Sequence, residues 1–341
     1  MHILIFGKEV NMQKIKKSIT FFAVFIISLS FVITAKAADS LVPVGHTAGI
    51  KLLSDGAIVT ELTDELADNP CRAAGIAPGD VVKSADGVSI HSNEDLKRIV
   101  TGCEGREITL VYERNGEEKS AKLTPVKSSE GEYVVGVRIR DSVAGIGTLT
   151  YYDPESKTYG ALGHGISESD TNVLIPAQRG ALMKAKVESV VKGAPGKPGE
   201  LRGEYDMTYD FADITKNTES GIFGTVKDSA ELSGMAAYPV ASKNEIKRGK
   251  ATILSNIEGD EVKEYEIEIT SIYFDGEKTK NMLVRATDPE LISKTGGIVR
   301  GMSGSPIIQN GKIVGAITHV LVNNPQKGYA IFIENMLDAA A

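Results

Sequence analysis

The chain has 341 residues, enough for two or three domains that each bury an apolar core. With 42% hydrophobic and 24% charged residues, wholesale disorder and a multi-span membrane protein are both excluded; a net charge of -7 gives no general attraction to phosphate backbones, so nucleic acid is not an expected partner. The 35 glycines and the absence of Trp suit a turn-rich β protein. Two cysteines fall short of a disulfide framework or a four-cysteine zinc site, and one bridge at most, Cys71 to Cys103, is open to them.

In chain order, Lys14, Lys16 and Lys17 precede an uncharged, mostly apolar run over 18–34, and Ala35-Lys36-Ala37 follows as a small-x-small sequence. Residues 1–38 are therefore expected to be an export segment, either a signal peptide cleaved after Ala37 or a retained signal anchor, with Met12 a more ordinary start than Met1. Everything after it is expected on the trans side of one membrane, with the N-terminal segment providing membrane association.

From residue 48 to 123 short strands alternate with two helical stretches. Gly49–Leu53 and Gly56–Val59 read as strands, and Cys71–Ile76 as a helical turn closed by Gly75. Asp86-Gly87 has the composition of a tight hairpin turn, and Ser92 caps a helix whose Leu96, Ile99 and Val100 share one face. The stretches 107–112 and 119–123 close the unit as a hairpin around Arg114-Asn115-Gly116. Element order and the string Cys71-Arg72-Ala73-Ala74-Gly75-Ile76-Ala77-Pro78-Gly79-Asp80 resemble a PDZ domain, bounded here at 44–126. By that resemblance Gly45, His46, Thr47, Ala48, Gly49 and Ile50 would form the loop that binds a peptide carboxylate, and the strand starting at Ile50 would take up a peptide by strand addition. Peptide C-termini or internal segments would be its partners.

Residues 130–341 are dominated by period-two patterns. Tyr133, Val135, Val137 and Ile139 alternate with other residues, and Tyr265, Ile267 and Ile269 alternate with Glu264, Glu266 and Glu268. Turn signals such as Asp275-Gly276 and Asn310-Gly311 separate the runs, so an all-β barrel or sandwich is expected, with a single helix beginning near Ile333. The stretch 193–199 reads as a loop.

The sharpest chemical signal is Gly301-Met302-Ser303-Gly304-Ser305-Pro306. A serine framed by glycines can occupy a tight bend in which the amides of Gly301 and Ser303 share one space and stabilise an oxyanion. Asn310-Gly311 folds the next strand directly back, the arrangement behind the nucleophile of chymotrypsin-like barrels. A lipase-type elbow is excluded because Ser305 stands where glycine is needed, and no phosphate loop or His-Glu-x-x-His helix occurs. The serine needs a base. His2 lies in the export segment, and His46 and His91 lie in the smaller module, which leaves His164 and His319; His164, between Gly163 and Gly165, is favoured. For the orienting acid Asp288 is the first candidate, with Asp170, Asp210 and Asp213 as alternatives.

Taken together, residues 141–150, Tyr159-Gly160-Ala161-Leu162-Gly163-His164, Gly221-Ile222-Phe223-Gly224-Thr225 and 295–306 resemble the SpoIVB peptidase family, stage IV sporulation protein B of spore-forming Firmicutes. The resemblance implies a membrane-associated serine endopeptidase, mainly β, with a chymotrypsin-like double β-barrel preceded by an α+β PDZ domain. It implies His164 as general base, Ser303 as nucleophile and Asp288 as third member, with no cofactor and no metal. It further implies secretion into the space between two membranes, cleavage of a regulator of an intramembrane metalloprotease with late sigma-factor activation as the result, and self-cleavage. Two other functions are weighed against it: a catalytically inactive PDZ peptide-binding scaffold, and a general envelope serine peptidase.

Overall fold

The computed structural model describes residues 39–341 apart from 67 and 231, so the export segment expected over 1–38 lies outside the described residues. The chain enters through β1 (Ser40–Pro43) and β2 (Thr47–Leu62). It then builds α1 (Pro70–Ala73), β3 (Val81–Ala85), β4 (Val88–Ser89), α2 (Asn93–Gly102), β5 (Ile108–Arg114), β6 (Glu117–Leu123), β7 (Val126–Lys127) and β8 (Tyr133–Val134). It returns along β9 (Val137–Asp153) to β10 (Thr158–Ala161), β11 (Ala177–Val191), β12 (Glu200–Thr218), β13 (Gly221–Val226) and β14 (Tyr238–Pro239). The last part holds β15 (Gly249–Asn256), β16 (Val262–Ile272), β17 (Met282–Ala286), α3 (Pro289–Thr295), β18 (Pro306–Gln309), β19 (Lys312–Leu321), β20 (Asn324–Phe332) and α4 (Ile333–Ala340).

Two barrels result. The second closes in the order β15-β16-β17-β20-β19-β18. Its period-two pattern puts Tyr265, Ile267 and Ile269 into the core beside Ile253, Val284, Ile307 and Ile317, while Glu264 and Glu266 face water. The first is a ring of six antiparallel pairs, β2 with β9, β9 with β10, β10 with β13, β13 with β12, β12 with β11, and β11 back to β2. Leu52, Leu149, Tyr159, Leu182 and Ile222 fill it.

The smaller α+β body departs from the boundary expected at residue 44. The predicted strands over 49–53 and 56–59 are one continuous strand, β2, kinked at Gly56 where φ is +114° and the register against β9 shifts. Its first half, Thr47 to Leu53, pairs with β9 on one side and β11 on the other, so it is a wall of the first barrel. Its second half pairs with β3 and with Val137–Arg140 of β9, in the smaller body. The PDZ body is thus inserted into the barrel through two long shared strands. It has its own core, including Cys71, Ile90, Leu96, Val100 and Leu110. Both cysteines are free and buried there.

Local sequence accounts for the turns. Asp86-Gly87, Asn115-Gly116 and Asn310-Gly311 each place two successive residues at positive φ, as two-residue hairpin loops require. The Ser92 hydroxyl accepts the Asp95 amide at the start of α2.

The peptide-binding assignment of residues 45–50 does not survive these pairings. The Gly45 amide donates to the Leu149 carbonyl at 2.9 Å, and the Gly45 carbonyl accepts the Asn256 amide at 3.1 Å. Thr47, Ala48, Gly49 and Ile50 have β9 on one edge, with β11 along Ala48 to Ile50 on the other, and His46 pairs with Asp260 at 3.3 Å. A strand hydrogen-bonded on both edges has nothing left to offer a peptide. In the smaller body, the described pairings leave one edge of Val137–Arg140 without a strand partner.

Candidate active site

The turn over 299–305, between α3 and β18, carries the serine. Gly301 and Gly304 adopt φ of +96° and +98°, a region closed to most side chains, and a Cβ at Gly304 would lie 2.0 Å from the Thr148 carbonyl oxygen. Thr148, on β9, fixes the turn from the first barrel: its amide donates to the Ser303 carbonyl at 2.9 Å and its hydroxyl to the Gly301 carbonyl at 2.7 Å. The amides of Met302, Gly304 and Ser305 are spent on the carbonyls of Val299, Ile317 and Met302. Among the described residues, those of Gly301 and Ser303 donate to no protein group. The nucleophile turn thus keeps two unspent amides, that of Ser303 itself and that of Gly301 two residues before it, the kind of donor an oxyanion requires.

His164 follows β10 through a second strained turn, with Leu162 at φ +69° and Gly163 at φ +68°. Its Nδ1 lies 2.8 Å from the Gly165 carbonyl oxygen. A carbonyl can only accept, so Nδ1 carries the proton and Nε2 holds the lone pair. Burial lowers the imidazole's pKa below its usual value, opposed in part by the Gly165 hydrogen bond, so the ring is neutral near pH 7. The loop beyond it is anchored twice. Asn217 exchanges hydrogen bonds with both backbone groups of Ile166 and donates to the Ile175 carbonyl. The fully buried Glu168 carboxylate accepts the amides of Asp170 and Thr171, the Thr171 hydroxyl and Arg140 at 2.6–2.9 Å.

His164 and Ser303 line the same two clefts, of about 310 and 270 Å³. The first is walled by Ile50, Val143, Ile146 and Leu162 of the first barrel. The second is walled by Ile298, Ile317, Val320 and Val322 and runs along β19. The Ser303 hydroxyl donates to the Thr318 carbonyl at 2.7 Å, so its proton is not on His164 in this arrangement. His319, the rejected alternative base, stands beside this cleft, its ring centroid 5.0 Å from that of His164. Desolvation, with the His164 and Lys280 charges next, lowers its pKa to about 4 against an opposing Glu277. A larger cavity of about 600 Å³ elsewhere, lined by His46, Lys184, Tyr205 and Asp260, contains neither residue.

Asp288 is not brought to His164. It is the N-cap of α3: its Oδ1 accepts the Leu291 amide at 2.9 Å, Pro289 follows, and it lines neither cleft. The Asp288-Pro289 pair is a helix start. Asp213 pairs with Lys227 at 2.7 Å and Asp170 with Arg140 at 3.9 Å, and neither they nor Asp210 line the clefts. The residues that sequence reasoning missed are Thr148, visible only as part of the 141–150 string, and Thr318, which acts through its main chain and leaves no sequence signal.

Residues 131–337 match the family described as SpoIVB peptidase S55, and residues 47–124 match the PDZ domain. The zinc metalloprotease RasP of Shouchella clausii is 30% identical over 107 residues, 30% of this chain and 26% of that protein. A probable CtpA-like serine protease of Staphylococcus haemolyticus is 27% identical over 198 residues, 57% of this chain and 35% of that protein. The chain thus spans about a quarter to a third of these relatives' lengths. The active form of the Rv3671c protease from M. tuberculosis aligns at 16% identity and a TM-score of 0.30, over 57% of this chain and 71% of that one. Because the first match covers more than half of the sequence and encloses His164, Gly301 and Ser303, the chain belongs to the SpoIVB peptidase S55 family.

Proposed function

We propose that the chain is a serine endopeptidase with Ser303 as nucleophile and His164 as general base. The observation that carries this reading is the pair of unspent amides, Gly301 and Ser303, beside a hydroxyl that shares its clefts with a neutral imidazole. Rotation of the Ser303 side chain away from the Thr318 carbonyl would present its proton to Nε2 of His164. As Oγ attacks the substrate carbonyl, the proton passes to Nε2 and the carbonyl oxygen, now an oxyanion, takes the two amides. The imidazolium then returns the proton to the leaving amine, and water repeats the sequence on the acyl-enzyme. The Gly165 carbonyl holds the tautomer, the work an aspartate does in most triads.

Family membership supports a finer reading: cleavage of a regulator of an intramembrane metalloprotease during sporulation, leading to late sigma-factor activation, with cleavage of the chain itself as a second outcome. The N-terminal sequence supports an exported or membrane-anchored enzyme acting on the trans side. The PDZ body would steer targets, using the unpaired edge of Val137–Arg140. A second reading, an inactive peptide-binding scaffold, draws on the Ser303 proton being held by Thr318 and on Asp288 capping a helix. Labelling by a serine-reactive phosphonate, compared between wild type and Ser303→Ala, separates the two. Labelling confined to wild type and lost on denaturation is expected of the enzyme, and equal labelling of both proteins would remove Ser303 from its role.

A further inference from the structure

Arg300 lies within the serine-bearing turn, next to Gly301, and its role rests on the peptidase reading above. Its main chain is pinned on both sides: the amide donates to the Gly199 carbonyl at 2.9 Å, and its own carbonyl accepts the Leu201 amide at 2.8 Å. The backbone is thereby fixed next to Gly301, two turn residues before Ser303. It lines both clefts shared by His164 and Ser303, and a third of about 350 Å³ formed with Ile146, Glu200, Arg202 and Gly301. It is exposed, and among the described residues its guanidinium has no hydrogen-bond or ion-pair partner, whereas its neighbour Arg202 is taken by Glu200 at 2.6 Å.

A guanidinium offers a planar fork of donors that fits a carboxylate better than any neutral group. The apolar cleft along β19 suits the acyl half of a substrate laid against that strand. The other two clefts, on the side of β9 and β12, are left for the departing half; Arg300, Gly301 and Ile146 line both, and Arg300 is the charged one of the three. We propose that Arg300 is a specificity-determining residue that binds a carboxylate on the leaving-group side of the scissile bond. The carboxylate comes from an acidic side chain in the first residues after that bond or from the substrate's own chain end.

Two peptide series test this on the full chain. One has an amidated end and Asp or Asn at the first or second position after the bond; the other has Asn there and a free or an amidated end. Wild type should cleave the carboxylate-bearing member with a kcat/KM roughly three- to ten-fold higher, as expected for a partly exposed ion pair that the substrate covers. Preference confined to the first series identifies a side chain, and preference confined to the second identifies a chain end. Arg300→Gln should bring the ratio to about one, and Arg300→Glu should transfer the preference to a Lys-bearing peptide. Arg300→Lys, which keeps charge and stem but loses the fork, should lie between and serves if the others do not fold. Equal cleavage of acidic and neutral peptides by wild type, or an unchanged ratio in Arg300→Gln, overturns the proposal. Calorimetric binding of the same peptides to Ser303→Ala reads the preference without turnover. Absence of hydrolysis with the binding preference intact counts against the peptidase reading alone, and equal binding counts against Arg300.

Discussion

Asp288 accepts the Leu291 amide at the start of α3, and asparagine caps a helix about as well as aspartate. Asp288→Asn should therefore leave both stability and kcat/KM close to wild type, while Asp288→Ala should cost about 1 kcal/mol of stability in a denaturant titration. An orienting acid in a triad behaves oppositely, since its replacement by Asn lowers kcat by about four orders of magnitude. The same pair of variants thus reads out which role the carboxylate plays. At His164 the sign of the pH dependence follows from the direction of the shift. Burial lowers its pKa, the base works only when neutral, and neutrality therefore extends to lower pH than for a free imidazole. The acid limb of kcat/KM should have its midpoint below about 6.5, the ordinary histidine value. A midpoint above that would mean that a carboxylate, not the Gly165 carbonyl, faces the ring in the working enzyme.

The elements that carry these residues are strands, and their turns hold the strain. Two-residue turns were legible because Asn-Gly and Asp-Gly state their φ requirement in the sequence, and the β16 core face was legible because Glu and apolar residues alternate there. What stayed hidden is main-chain chemistry: the Thr318 carbonyl that holds the serine proton and the Gly165 carbonyl that sets the histidine tautomer have no side-chain signature. Thr148 lies between these cases, being a side chain whose partners are two remote carbonyls. Thr148→Val keeps its shape and removes the hydroxyl, leaving the Gly301 carbonyl without its donor at a cost of about 1–2 kcal/mol. If that cost falls on the geometry of the two free amides, kcat should drop roughly ten-fold with little change in KM. A rise in KM alone would place Thr148 in substrate binding instead. Glu168 anchors the loop after His164, and its carboxyl pKa is lowered: burial pushes it up but is outweighed by the Thr171, Asp170 and Arg140 donors. Its stabilising effect is accordingly present at neutral pH and lost only as pH falls through that lowered value.

At the scale of the molecule, the sequence suggested a PDZ module followed by a peptidase, because local periodicity cannot show that one strand serves two bodies. The pairing of Leu53 with Ser142 on one side of the Gly56 kink, and of Ile58 with Arg140 on the other, marks where barrel ends and PDZ body begins. Two shortened proteins should then behave differently. One begins at residue 130 and so follows the apparent boundary in the sequence; it lacks β2, which opens the six-strand ring and bares the edges of β9 and β11. It should aggregate and show no phosphonate labelling of Ser303. The other replaces residues 55–139 by a two-residue turn joining Ser54 to Arg140, next to the Leu53–Ser142 pair; it keeps the strand pairings of the first barrel, the Arg140 ion pair with Glu168 and the contact of Thr148 with the nucleophile turn. It should remain monomeric by size-exclusion chromatography and label at Ser303, because closure of the ring, rather than the presence of the PDZ body, holds β9 against the serine. Labelling of the first protein would show that closure of the ring is not needed; a second protein that folds but does not label would show that catalytic geometry depends on the inserted body itself, transmitted along the β9 strand that both share.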